Sequence, residues 1–136
     1  MKKNSKLIPL LIFALVSLIY SLPILKNISY WGQMDWDQFT FWNVVPRETI
    51  LRYHQFPLWN PYSNGGNVML AHPHSSFLSP FYIFVLAFGP IIGIKLEIIL
   101  FLIIGLLGIF FLLKHLGLKK ISSYVGSFIF MLSSIY

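Results

Sequence analysis

The sequence has no cysteine, so disulfides and thiolate metal sites are excluded. Charge is scarce as well: only 10% of the residues are Asp, Glu, Lys or Arg, and just 4 of these are acidic. A chain of 136 residues that is 57% hydrophobic and 18% aromatic, with mean hydropathy +0.73, has more apolar surface than a soluble domain of that size can hide. The class implied is an integral membrane protein. The net charge of +6 forms no Lys/Arg stripe on a polar face, so no nucleic-acid partner is expected. A Gly-rich phosphate loop, a Ser-His-Asp arrangement, a dinucleotide fingerprint and internal repeats are also missing.

The basic residues that are present flank apolar segments. Met1–Lys6 is a short basic start, and Leu7 to Leu25 is an apolar run long enough to cross roughly 30 Å as a helix. An uncleaved signal anchor is the reading adopted over a cleaved signal peptide, because no small-x-small cleavage site follows the run. Lys2, Lys3, Lys6, Lys114, Lys119 and Lys120 have no acidic neighbours, whereas Lys26, Arg47 and Arg52 are balanced by Asp35, Asp37 and Glu48. The positive-inside rule then places the N-terminus and the 117–121 turn in the cytoplasm, with residues 26–76 outside. A span over 91–116 follows. Residues 77–90 become a re-entrant or interfacial helix, since Gly89-Pro90 interrupts a short segment. The alternative is a span over Phe77 to Ile94. Gly117 reads as a helix C-cap. Ser122 or Ser123 is placed to cap a further helix over 122–136, which is marginal for a crossing and reads as the start of a longer multi-pass protein.

The expected fold is an all-α membrane bundle with a large first outer loop carrying interfacial helices. Pro46-Arg47-Glu48 reads as a helix start, with Pro first and an acid in the first turn, and residues 37–53 are expected to form one or two helices along the membrane surface. Trp31, Trp36, Phe39, Phe41 and Trp42 are aromatics of the headgroup-level kind. Pro57-Leu58-Trp59-Asn60-Pro61-Tyr62 and Asn64-Gly65-Gly66-Asn67 are turn sequences.

Asp35 and Asp37 are the foremost chemical candidates. One carboxylate can take a proton from an attacking hydroxyl, or hold a divalent cation against a phosphate. The plainer alternative is a helix N-cap or solvated acids. Two residues apart, they project together from an extended segment and diverge by about 200° on a helix. His54, His72 and His74 match no zinc spacing; a loop His can also bind phosphate or position an acceptor. Arg47 and Arg52 are of the type that clamps phosphate, though such arginines also meet lipid headgroups. Lys95 and Glu97 are costly at membrane depth, and a structural role with snorkelling is favoured. Gly105 and Gly108 allow close helix packing.

The order Asp35-Trp36-Asp37-Gln38, Glu48-Thr49-Ile50-Leu51, Phe56 to Tyr62, Gly65-Gly66-Asn67, Phe77-Leu78-Ser79-Pro80 and Gly93 to Glu97 resembles the N-terminal region of YfhO-like multi-pass membrane proteins. It covers roughly residues 30–120, and the Pro-Leu-Trp-Asn-Pro-Tyr and Gly-Gly pieces are its most specific part. That resemblance implies a glycosyltransferase of the C-type membrane fold, acting in the cell membrane on a lipid-linked sugar donor among membrane lipids. An acid of the first outer loop would serve as base or metal-facing group, here Asp37 or Asp35, with Asp37 favoured because Gln38 beside it can orient an acceptor. Gln38, Arg47, Arg52, Asn60 and His74 are then the candidate substrate-binding residues, and a divalent cation the candidate cofactor. Members often carry an amide where this chain has His74. The alternatives are a non-catalytic membrane assembly or lipid-binding protein, or an inactive truncated product.

Overall fold

The computed structural model describes residues 4–32, 34–70 and 72–133. Met1 to Lys3 and Ser134 to Tyr136, parts of the first and last expected segments, lie outside the described residues. The chain is mostly helical: α1 Asn4–Tyr20, α2 Leu22–Lys26, α3 Trp36–Leu51, α4 Ile83–Phe88, α5 Pro90–His115 and α6 Lys120–Leu132, with a two-residue antiparallel ladder of β1 Trp59–Asn60 and β2 Asn67–Val68. This ladder is the departure from an all-α expectation. Two compact units are formed. One contains the chain up to Leu25 and from Ile98 on; the other is Lys26–Glu97.

The first unit is built around Phe13, which is fully buried. Its ring meets Phe110 at 5.6 Å, Tyr124 at 5.5 Å and Phe128 at 5.7 Å, so α1, α5 and α6 share one aromatic centre. Pro9, Phe13 and Ser17 form the buried face of α1, and Ser21, four residues further on in the turn after it, is buried too. Small residues at such positions let helices approach closely. The opposite surface is apolar too: Leu11, Leu15 and Ile19 are exposed, as are Phe101, Ile104 and Leu112 on α5.

Among the described residues, α5 is the one helix long and apolar enough to cross a bilayer. The expected span from Leu7 to Leu25 is broken. α1 stops at Tyr20, and Ser21 forms a turn before α2. Pro23 accounts for this, because its ring crowds the carbonyl four residues back and it has no N–H to give. The ladder nonetheless continues through Ser21 N–H to Ser17 O and Leu25 N–H to Ser21 O, each 2.9 Å. α5 ends in a Schellman arrangement: Gly117 N–H bonds Lys114 O, and Leu118 N–H bonds Leu113 O. α6 then starts at Lys120, earlier than a serine cap would place it. Ser123 falls inside its first turn and donates to Lys119 O at 3.1 Å, so neither Ser122 nor Ser123 is the cap.

In the second unit, the expected helix start at Pro46 is overturned. α3 begins at Trp36 and runs through Pro46 to Leu51. An interior proline costs about 3 kcal/mol. Burial of Trp42 and Val45 against Met69, Phe77, Tyr82 and Val85 offsets it. Two ties lock α3 to the segment below. Tyr82 OH donates to Asn43 O at 2.7 Å, and Arg47 Nε donates to Val85 O at 3.0 Å. At the hairpin, Asn64, Gly65 and Gly66 all have positive φ, and the Trp59 ring occupies the place a Gly66 side chain would take.

α4 has six residues, about 9 Å of helix, too short to cross a membrane alone. Gly89, at φ 84°, ends it and Pro90 opens α5. Gly93 then packs directly on the backbone of α4 at Phe84 and Val85. A methyl there would meet Val85 N at 2.6 Å, whereas one at Gly105 meets nothing within 4 Å. Gly93→Ala is therefore expected to lose about 1–3 kcal/mol through overpacking, and Gly105→Ala to gain up to about 1 kcal/mol of helix propensity. Denaturant unfolding of the two variants in detergent micelles checks the opposite signs.

Candidate polar cleft

Three segments of the second unit bring polar groups together. α3 contributes Phe39 and Asn43, which are one turn apart on the same face. The 72–76 stretch contributes His74, Ser75 and Ser76. The first turns of α5 contribute Ile94 and Glu97. Together with Pro73 they line a cleft of about 220 Å³.

Its centre is a hydrogen-bonded trio. Ser76 Oγ lies 2.9 Å from Asn43 Oδ1 and 3.1 Å from Glu97 Oε2. Ser76 N–H also donates to Asn43 Oδ1, at 3.3 Å, and Asn43 Nδ2 donates to Phe39 O at 2.9 Å. The serine has one hydroxyl proton for two acceptors, so Asn43 and Glu97 compete for it. Glu97 is only 5% exposed. Its Oε1, with Ser75 Oγ and His74 Nδ1, is shielded from solvent and has no hydrogen-bond partner. Each such atom costs about 1–3 kcal/mol of lost hydration. Three on one cleft form a concentrated unmet demand.

Lys95 is the contrast. It too is 5% exposed, but its ammonium donates to Asn27 O and Ile28 O at 2.9 Å and to Tyr30 O at 2.6 Å. An ammonium has three donors, and all are used. The same Nζ stands 5.9 Å from the centre of the Trp36 ring. Lys95 is thus a structural tie.

The sequence candidates separate. Asp35 sits at the N-cap position of α3 without a side-chain cap bond, and Asp37 lies in the first turn. Both are exposed, as is Gln38; Asp37 Oδ1 accepts only the N–H of Gln38, at 2.8 Å. Because the segment is helical, the two acids point about 200° apart. Asp35 shares the face of Phe39 and Asn43, at four-residue spacing, and Asp37 does not. Arg47 is committed to the carbonyls of Val85 and Leu86, with Glu48 at 3.7 Å. Arg52 is exposed, 5.6 Å from the Tyr53 ring centre. Asn60 is fully buried in the hairpin, where its Oδ1 accepts from Tyr62 N–H. His54 is exposed. His74 alone of the substrate-binding set lines the cleft. Asn43 and Ser76 were not singled out from sequence; their signal was a four-residue spacing from Asp35 and Phe39, and the Ser-Ser pair after His74.

No group of three or more His, Asp or Glu side chains is assembled among the described residues. No family model, curated protein or solved structure matches the chain.

His72 stacks on Trp42 with ring centres 3.5 Å apart. Burial lowers its pKa below the ordinary imidazole value, and neighbouring His74 acts in the same direction. The fold therefore favours neutral His72. That contribution is complete above the ordinary value of about 6.5 and is lost as pH falls through the depressed one. In proton NMR the His72 ring signals are expected to titrate with a midpoint below about 6.5. His74→Gln should raise that midpoint only part-way, since burial is the larger cause. A midpoint at or above the ordinary value contradicts the assignment.

Proposed function

We propose that this chain carries the first outer loop of a multi-pass membrane glycosyltransferase, which moves a sugar from a polyprenyl-phosphate donor to an extracytoplasmic acceptor. The observation that carries the reading is the shared face of α3. An exposed carboxylate, Asp35, stands four residues before Phe39 and eight before Asn43, the two residues of α3 that line the polar cleft. A membrane setting is supported by the apolar length of α5 and by the exposed leucines of α1. The lysines flanking these helices favour a cytoplasmic N-terminus.

In this mechanism Asp35 takes the proton of the acceptor hydroxyl as its oxygen attacks the anomeric carbon. The bond from that carbon to the phosphate oxygen breaks, and the lipid phosphate leaves with the electron pair. Asp37 is the second candidate base, directed away from the cleft but next to Gln38. Arg52 is exposed and uncommitted to any backbone group, so it suits the departing phosphate better than Arg47 does. A second reading, a lipid-binding or assembly protein without catalysis, is favoured by Arg47, whose guanidinium is spent on the α4 carbonyls.

Sugar transfer from a polyprenyl-phosphate donor, measured in membranes with expression of each variant checked, separates the readings. Asp35→Asn is expected to lower turnover by about 10²–10⁴-fold with donor binding little changed. Asp37→Asn should act more weakly. If both variants transfer sugar at the wild-type rate, the acids are capping or surface groups, each contributing about 1 kcal/mol at most.

A further inference from the structure

Resting on the sugar-transfer reading, we infer that the cleft lined by Phe39, Asn43 and Glu97 is a subsite for a single neutral pyranose ring. Glu97, Ser75 and His74 line the cleft, and each keeps one side-chain polar atom, Oε1, Oγ and Nδ1, without a hydrogen-bond partner.

Size decides first. One water occupies about 30 Å³ of liquid, while the cleft holds about 220 Å³. A lone water or a small ammonium leaves most of it empty. The three unpartnered atoms lie on three residues from two segments of the chain. All three are shielded from solvent, so a rotation of each side chain about its last torsion is what turns it toward a ligand's hydroxyls, each of which both donates and accepts.

Charge decides next. No lysine or arginine lines the cleft. Lys95 is saturated by its three carbonyls, and Arg47 is held by Val85 and Leu86. A phosphate placed here would face the Glu97 carboxylate with no cation beside it, so the donor's lipid phosphate belongs elsewhere. An acyl chain is excluded by the same carboxylate and by the trio of polar side chains.

Apolar shape decides last. A pyranose has a C–H face as well as hydroxyl edges. The Phe39 ring is 43% exposed and stands 5.2 Å from the His74 ring. With Pro73 and Ile94 it supplies the apolar wall that such a face needs.

The test uses the whole chain in nanodiscs, titrated with the methyl β-pyranosides of glucose, galactose and mannose by saturation-transfer NMR. Saturable binding of at least one of them is expected. Glu97→Gln should weaken it about tenfold, the size of one hydrogen bond to a charged group. Ser75→Ala should weaken it several-fold while leaving the fold intact, since that hydroxyl has no partner to lose. Absence of saturable binding for all three glycosides overturns the subsite, and so does binding that both variants leave unchanged. Displacement of the glycoside by equimolar ethylammonium would reassign the cleft to a cation and overturn it too. If glycoside binding persists while sugar transfer is absent, the subsite stands and the transfer reading falls. If transfer occurs without glycoside binding, the subsite alone falls.

Discussion

A buried ammonium must be fully hydrogen-bonded or it destabilises the fold by several kcal/mol. Lys95 meets that condition with the carbonyls of Asn27, Ile28 and Tyr30. These three oxygens come from the stretch between α2 and α3, within which Asn27 O also accepts the N–H of Tyr30 at 3.0 Å. One side chain therefore fixes both the buried charge and the path by which the chain leaves α2. Trp36, the first residue of α3, lies against the same ammonium. The start of α3, and with it the position of Asp35, depends on this contact.

The opposite side of the same helical segment carries Gly93 and Glu97, four residues apart. Gly93 lets α5 touch the α4 backbone, and Glu97 reaches Ser76. Pro90 to Glu97 thus acts as a post with structure on both sides. Its two ionisable groups are equally buried but differently satisfied. Lys95 has a partner for every proton. Glu97 shares one serine proton with Asn43 and keeps a second oxygen unpaired. A saturated charge holds the fold together, and an incompletely paired one costs stability until a partner reaches it.

Local chemistry was legible in the sequence where it acts over a few residues. The Gly117 cap, the Asn64-Gly65-Gly66 turn and the Gly89-Pro90 break follow from backbone preferences, and α5 follows from length and apolarity. Pro46 misled because its local signal is a helix start. The burial of Trp42 and Val45 that carries α3 through it is a tertiary effect, invisible to spacing. Asn43 and Ser76 were hidden for a related reason. Short polar side chains read as solvated until the fold joins them, as Ser76 in its loop meets Asn43 of α3 and Glu97 of α5. The acidic pair was seen, but whether it acts as a pair turned on helix against extended backbone, and the helix separated the two acids.

Lys95 is the tie that sets the start of α3. Hydrogen exchange by mass spectrometry, comparing wild type with Lys95→Met in nanodiscs, tests this directly. The expected result is faster exchange over residues 27–32 and, together with it, over the amides of the first turns of α3, with the α5 amides beyond Ile98 unchanged. Protection of the first turns of α3 that survives the loss of the ammonium would contradict the dependence.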